Sequence, residues 1–248
     1  HVVENAKEKK AASGVSKEES VYVTLDASGK KQNVIVSDWL KNSGVNGTLK
    51  DVSNLKDIQN TKGDEKFTQN GNEISWEAED QDIYYQGTTD EELPVGIQIT
   101  YKLDGKEISP EEIAGKSGKL EMVIHYINTS KESVKVGGET KEVYTPFLMA
   151  TGMILPVEKF KNVTIDNGEV LSEGDNDILV AYGMPGLKES LKLEDIDFGD
   201  DLDADLNKIT DKMTDTVTIT ADVTEFELGQ TYTVATASIF KELDFGDI

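Results

Sequence analysis

From Val95 to Leu103 the chain alternates strictly. Val95, Ile97, Ile99, Tyr101 and Leu103 fall on one side, and Gly96, Gln98, Thr100 and Lys102 on the other. A period of two is the mark of a strand with one buried face. The pattern recurs in Val21, Val23 and Leu25, in Glu73–Ala78, and in Leu120, Met122, Ile124 and Tyr126. It returns in Thr216–Glu227, through Val217, Ile219, Ala221 and Val223, then Phe226 after a slip. Asp26-Ala27-Ser28-Gly29, Gln69-Asn70-Gly71-Asn72, Asp104-Gly105 and Asp166-Asn167-Gly168 punctuate these runs with turn chemistry. Further strands are expected at Gln32–Ser37, Asp82–Gly87, Asn162–Ile165, Glu169–Leu171, Asp177–Tyr182 and Tyr232–Ile239.

Many short amphipathic strands between Gly and Asn turns predict an all-β fold, an antiparallel β-sandwich of Ig-like type. Two helices are expected. Ser109-Pro110-Glu111-Glu112 supplies an N-cap, a proline at the first position and first-turn acids, for a short helix over 109–116. Leu202, Leu206, Ile209 and Met213 recur at helical spacing, for a second over 200–214. Residues 41–63, rich in Gly, Asn, Ser and Asp, read as loop with a helical turn near Ser53–Ile58, and Tyr144–Leu155 as a strand pair or one bent strand. The expected organisation is a flexible leader over 1–18, a smaller N-terminal β unit over 19–93, and a larger sandwich over 94–248. The last carries an acidic insertion at 188–215.

Composition narrows the chemistry. The 248 residues contain no Cys, 25 basic residues that are all Lys, 48 acidic residues, and two histidines, His1 and His125. Disulfides, thiolate nucleophiles, zinc fingers and iron–sulfur clusters are excluded, as is any bidentate arginine clamp on phosphate. A net charge of −23 repels nucleic acid and anionic lipid. Residues 188–248 alone hold 16 acidic and 5 basic residues, a net of −11. No run approaches the length of a membrane span. A first residue of His rather than Met is the kind of start that a removed signal peptide or anchor leaves.

Each chemistry-bearing pattern has a simpler structural reading. Gly115-Lys116-Ser117 ends like a phosphate loop, but Pro110 occupies the place of the first glycine and the segment closes a helix rather than opening one. His125 falls on the face opposite Leu120, Met122 and Ile124, with no nucleophile elbow nearby in sequence, and reads as a surface or structural histidine. Asp201-x-Asp203-x-Asp205-x-Asn207 has calcium-like spacing, but Leu206 and Lys212 stand where an EF-hand needs Gly and Glu. A solvated acidic segment is the favoured reading of 195–205, with a non-EF calcium site as the alternative. Trp39, Trp76, Tyr84, Tyr85 and Tyr101 read as core, with a sugar-stacking platform as the alternative. No catalytic, cofactor or metal residue is assigned.

Val21-Tyr22-Val23-Thr24-Leu25-Asp26-Ala27-Ser28-Gly29-Lys30, Asp82-Ile83-Tyr84-Tyr85-Gln86-Gly87 and Glu92-Leu93-Pro94 carry a resemblance. So do the long block from Tyr101-Lys102-Leu103-Asp104-Gly105-Lys106 to Gly115-Lys116-Ser117-Gly118-Lys119-Leu120, and Thr218–Glu227. Together they resemble the extracytoplasmic β region of Gram-positive envelope proteins with X-X-X-Leu-X-X-Gly heptad repeats, related to the phage-infection-protein group of membrane proteins. The heptads themselves are absent from this chain. The resemblance implies an ectodomain at the surface of a Gram-positive cell, anchored to the membrane through segments outside this chain. It implies no catalytic residue.

The expected function is therefore a non-enzymatic extracytoplasmic module. Its partner would be a protein, a wall polymer or another copy of itself, with no nucleic acid and no cofactor. A carbohydrate-binding module is the first alternative, and a hydrolase with paired carboxylates the second.

Overall fold

A computed structural model of the chain describes residues 15–27, 30–42, 46–89, 93–187 and 213–236. They are almost wholly β, in antiparallel sheets, as the alternation demands. The chain divides into two compact units. Among the described residues, unit 1 holds 15–22, 34–94 and Thr236, and unit 2 holds 23–33 and 95–235. The crossing at 94/95 lies one residue from the expected boundary, but the tip of the first hairpin belongs with the larger unit.

Unit 1 is two facing sheets. One contains, in order, β1 (Val15–Leu25), β2 (Lys31–Asn42), β7 (Ile83–Thr88) and β4 (Lys56–Asn60). The other is β3 (Asn46–Val52), β6 (Glu73–Glu79) and β5 (Phe67–Asn70), ordered β3-β6-β5. Val36, Leu40, Leu49, Ile74, Trp76, Ile83 and Tyr85 form the core, each at most 2% exposed. The Trp76 and Tyr85 rings stack across it with centroids 5.3 Å apart.

Three expectations fail here. Val15–Glu18 are strand, not leader, and Lys17 is buried. The polar stretch 41–63 contains β3 and β4 rather than loop. Leu49 pairs with Trp76 and Gln59 with Gln86, so long-range pairing overrides local turn composition. Ser53 starts no helix; its hydroxyl accepts from the Leu55 amide at 3.2 Å inside the unit.

Unit 2 packs its strands in two sheets. The first runs β15 (Gly168–Glu173), β16 (Asn176–Gly183), β13 (Leu148–Pro156) and β18 (Thr231–Thr236), followed by the hairpin residues of unit 2. The second is β14 (Phe160–Ile165), β17 (Thr216–Val223), β10 (Gly118–Asn128), β8 (Val95–Leu103) and β9 (Lys106–Ile108). Register keeps like faces together: Met122 lies opposite Tyr101 on one side and Ile219 on the other, and Ile124 opposite Ile99 and Val217. A separate hairpin, β11 (Lys131–Val136) with β12 (Glu139–Tyr144), precedes β13. Tyr144–Leu155 is thus two strands broken at Thr145-Pro146-Phe147.

The expected first helix is present as α1 (Pro110–Ile113). Ser109 is its N-cap, its hydroxyl accepting from the Glu112 amide at 3.2 Å. The chain leaves α1 through Gly115 at φ +79°, a left-handed conformation that suits glycine. The expected 200–214 helix and most of the acidic insertion lie outside the described residues.

Candidate functional site

The site that sequence reading missed lies in the core of unit 1. Lys17 on β1 is 8% exposed, and its Nζ is 3.0 Å from Asp51 Oδ2 and 3.2 Å from Oδ1. Asp38 on β2 is 1% exposed, with Oδ1 3.8 Å from the same nitrogen. Tyr85 on β7, fully buried, donates its hydroxyl to Asp51 Oδ2 at 2.5 Å. Glu19, two residues along β1 from Lys17, completes the group beside Asp38. Strand alternation places Lys17 and Glu19 in phase with Val21 and Val23, which is why charged residues point inward here.

Burial of this kind is costly unless the charges are paired. Burial works against the Lys17 ammonium, but Asp38 and then Asp51 outweigh it and hold its pKa above the ordinary lysine value. Burial, then the adjacent Asp38 carboxylate, push Glu19 up to about 10, so it carries a proton at neutral pH. That proton is offered to Asp38, whose buried carboxylate both Glu19 and the Tyr85 hydroxyl stabilise. Asp38 is itself raised, chiefly by burial. Burial and the carboxylates likewise hold Tyr85 well above an ordinary phenol. The set is one ammonium, two carboxylates and one carboxylic acid, with Lys17 and Asp38 buried and Glu19 half-buried. The lysine nitrogen stands where a cation would, and among the described residues no group of three His, Asp or Glu is arranged to hold a metal ion.

The aromatic residues divide. Trp76, Tyr85 and Tyr101 are core. Trp39 and Tyr84 lie on the outward face of β2 and β7, half-buried, stacked with centroids 5.4 Å apart and planes inclined by 17°. Lys41 Nζ lies 4.2 Å from the Trp39 ring centre and Lys62 Nζ 4.6 Å from that of Tyr84. Trp39 donates its indole N–H to Asp82 at 3.1 Å. The pair is a ledge of two rings flanked by ammonium groups.

His125 faces outward from β10, its Nε2 3.4 Å from Thr100 Oγ1. It lines an open concavity with Gln98, Lys102 and Glu121. The phosphate-loop-like segment is structural. The Gly115 amide donates to the Phe226 carbonyl and the Phe226 amide to the Lys116 carbonyl, both at 2.8 Å, while Ser117 Oγ accepts from the Glu225 amide at 3.0 Å. The Gly115–Ser117 segment is thus engaged with residues 225–226, just past the end of β17. The calcium-like spacing at 201–207 lies outside the described residues.

Comparison with family models, with curated proteins and with solved structures finds no match to this chain. Among the described residues no helix is long and apolar enough to cross a membrane.

Proposed function

We propose that the chain is a non-enzymatic extracytoplasmic module of a membrane-anchored cell-envelope protein. It acts by surface contact with a protein, a wall polymer or a second copy of itself. The observation that carries the contact reading is the Trp39–Tyr84 ledge with Lys41 and Lys62. Rigid half-exposed aromatics with cationic flanks are the side chains that dominate contact surfaces. The envelope setting is supported by the resemblance of the β blocks described above and by an antiparallel all-β architecture built without cysteine. Among the described residues, Asp38 and Asp51 come together on Lys17 inside unit 1, away from any polymer at the surface, which favours contact over hydrolysis.

Fractionation of cells expressing the full-length gene product tests the setting: the protein is expected with the membrane or wall, and a cytosolic pool contradicts it. The carbohydrate-binding reading rests on the same two rings, which offer a face to a sugar. Titration of wall glycans against the chain, followed by tryptophan fluorescence, separates the two. A response lost in Trp39→Ala favours a sugar, and no response favours a protein partner or self-association.

A further inference from the structure

The buried Lys17 set has more chemistry than a structural ion pair needs. An ion pair requires one carboxylate and one ammonium. Here a second carboxylate and a protonated third carboxyl stand beside them, and a phenol donates to the carboxylate that the lysine touches. Both oxygens of Asp51 are within 3.2 Å of Nζ. The carbon between them is then roughly 3–3.5 Å from the nitrogen, the separation of a near-attack pair.

We infer that Lys17 and Asp51 join in an intramolecular isopeptide bond that ties β1 to β3 inside unit 1. The ammonium first passes a proton to Asp51, converting the ion pair to a neutral amine and a carboxylic acid. The amine lone pair then attacks Cγ of Asp51, forming the N–C bond. Tyr85, already donating to Oδ2, steadies the negative charge that develops on that oxygen. Asp38 and Glu19 together hold one proton, so the pair accepts a proton from the nitrogen and returns one to the departing hydroxyl. The C–O bond of the other oxygen breaks and one water leaves. The balance is Lys-NH3+ plus Asp-COO− giving Lys-NH-CO-Asp plus water, with no oxidant, cofactor or net charge change.

Two physical terms favour the step. The reacting groups are held by strands that fold before the bond forms, which replaces a bimolecular encounter by a positioned one. The product also removes a buried pair of full charges from the core, whose burial is otherwise a standing cost. The reaction acts once on the chain itself, so it is independent of the surface function proposed above. A bond there would join residues 34 positions apart in sequence and close the chain between Lys17 and Asp51 into a covalent loop.

Intact-mass spectrometry of the folded chain, followed by peptide mapping, tests this. The expected mass is lower than the sequence mass by one water, and the map should contain a branched peptide joining the Lys17 and Asp51 segments. Lys17→Arg should restore the full mass. That variant can fail to fold, but the wild-type chain decides alone. A full sequence mass in wild-type protein shown to be folded by circular dichroism overturns the proposal. So does a water loss that maps elsewhere, for instance to a succinimide at Asp104-Gly105.

Discussion

Glu19 is the residue at which unit 1 is most sensitive to pH. Its folded value of about 10 lies above the ordinary 4.5. The unfolded chain therefore releases this proton first as the pH rises. The contribution of Glu19 to stability is complete below pH 4.5 and is lost progressively as the pH climbs toward about 10. Joining Lys17 to Asp51 leaves the sign unchanged, because Asp38 and burial still oppose ionisation. Glu19→Gln, which cannot ionise, should flatten the fall in thermal midpoint between about pH 5 and about pH 9. An unchanged slope would place the Glu19 carboxyl in water. At Gly183 the constraint is steric: a Cβ there would come within 2.1 Å of the Tyr126 ring. Tyr126 donates to Thr151 at 2.7 Å, and Thr151 bonds Thr233 at 2.9 Å, so the ring cannot retreat without breaking a buried hydroxyl chain. Burial, largest of the causes, raises the Tyr126 phenol to about 12. Gly183→Ala should cost about 1–3 kcal/mol in chemical denaturation.

At the scale of elements, α1 and the segment after it are fixed from two sides. The Ser109 cap satisfies one helix amide, and the paired backbone bonds to Phe226 hold the exit. Phe226 is buried against Tyr101 and Phe160, with edge-on rings 5.5 and 5.8 Å away. Ser109→Ala should cost about 1 kcal/mol, whereas Phe226→Ala should cost about 3–5 kcal/mol. Urea unfolding of both variants checks the ranking; equal costs would contradict the reading of Phe226 as the main anchor of the segment. In unit 2, β8, β10 and β17 were legible because each carries its own alternation: β10 and β17 bury the phase the sequence predicts, and β8 buries Val95, Ile99 and Tyr101 of it while Ile97 and Leu103 are half-buried. The polar strands β9, β11 and β12 carry no such alternation and were not expected. β3 and β4 were not, since Asn46, Gly47, Ser53 and Asn54 signal turn locally and only pairing with β6 and β7 makes them strand. The Lys17 site was hidden for a related reason. Val15-Ser16-Lys17-Glu18-Glu19-Ser20 has the composition of a solvated leader. The one available signal was phase: the alternation of Val21 and Val23, carried back along the strand, reaches Glu19 and Lys17. Nothing local announces Asp38 or Asp51 as their partners, because the contact spans 34 residues and exists only in the fold.

For the whole molecule, the charge of −23 is distributed unevenly, and nearly half of it lies in residues 188–248. In unit 1, Lys41, also paired with Glu18 at 3.1 Å, and Lys62 flank the Trp39–Tyr84 ledge. If that ledge is the contact surface, Trp39→Ala should weaken partner binding by about tenfold or more while leaving the Trp76 core intact. Pull-down from envelope extracts beside a thermal melt of the variant reads both; a loss of binding matched by a loss of folding would not support the ledge. The central claim remains the interior of unit 1, where a lysine, two aspartates and a protonated glutamic acid replace part of an apolar core. A carbon-13 NMR titration of the side-chain carboxyls of the folded chain tests it most directly. One carboxyl should stay protonated through neutral pH, up to about 10, and its signal should vanish in Glu19→Gln. If every carboxyl instead titrates in the ordinary range of about 3–5, the buried charge set does not exist in solution and the account of unit 1 is contradicted.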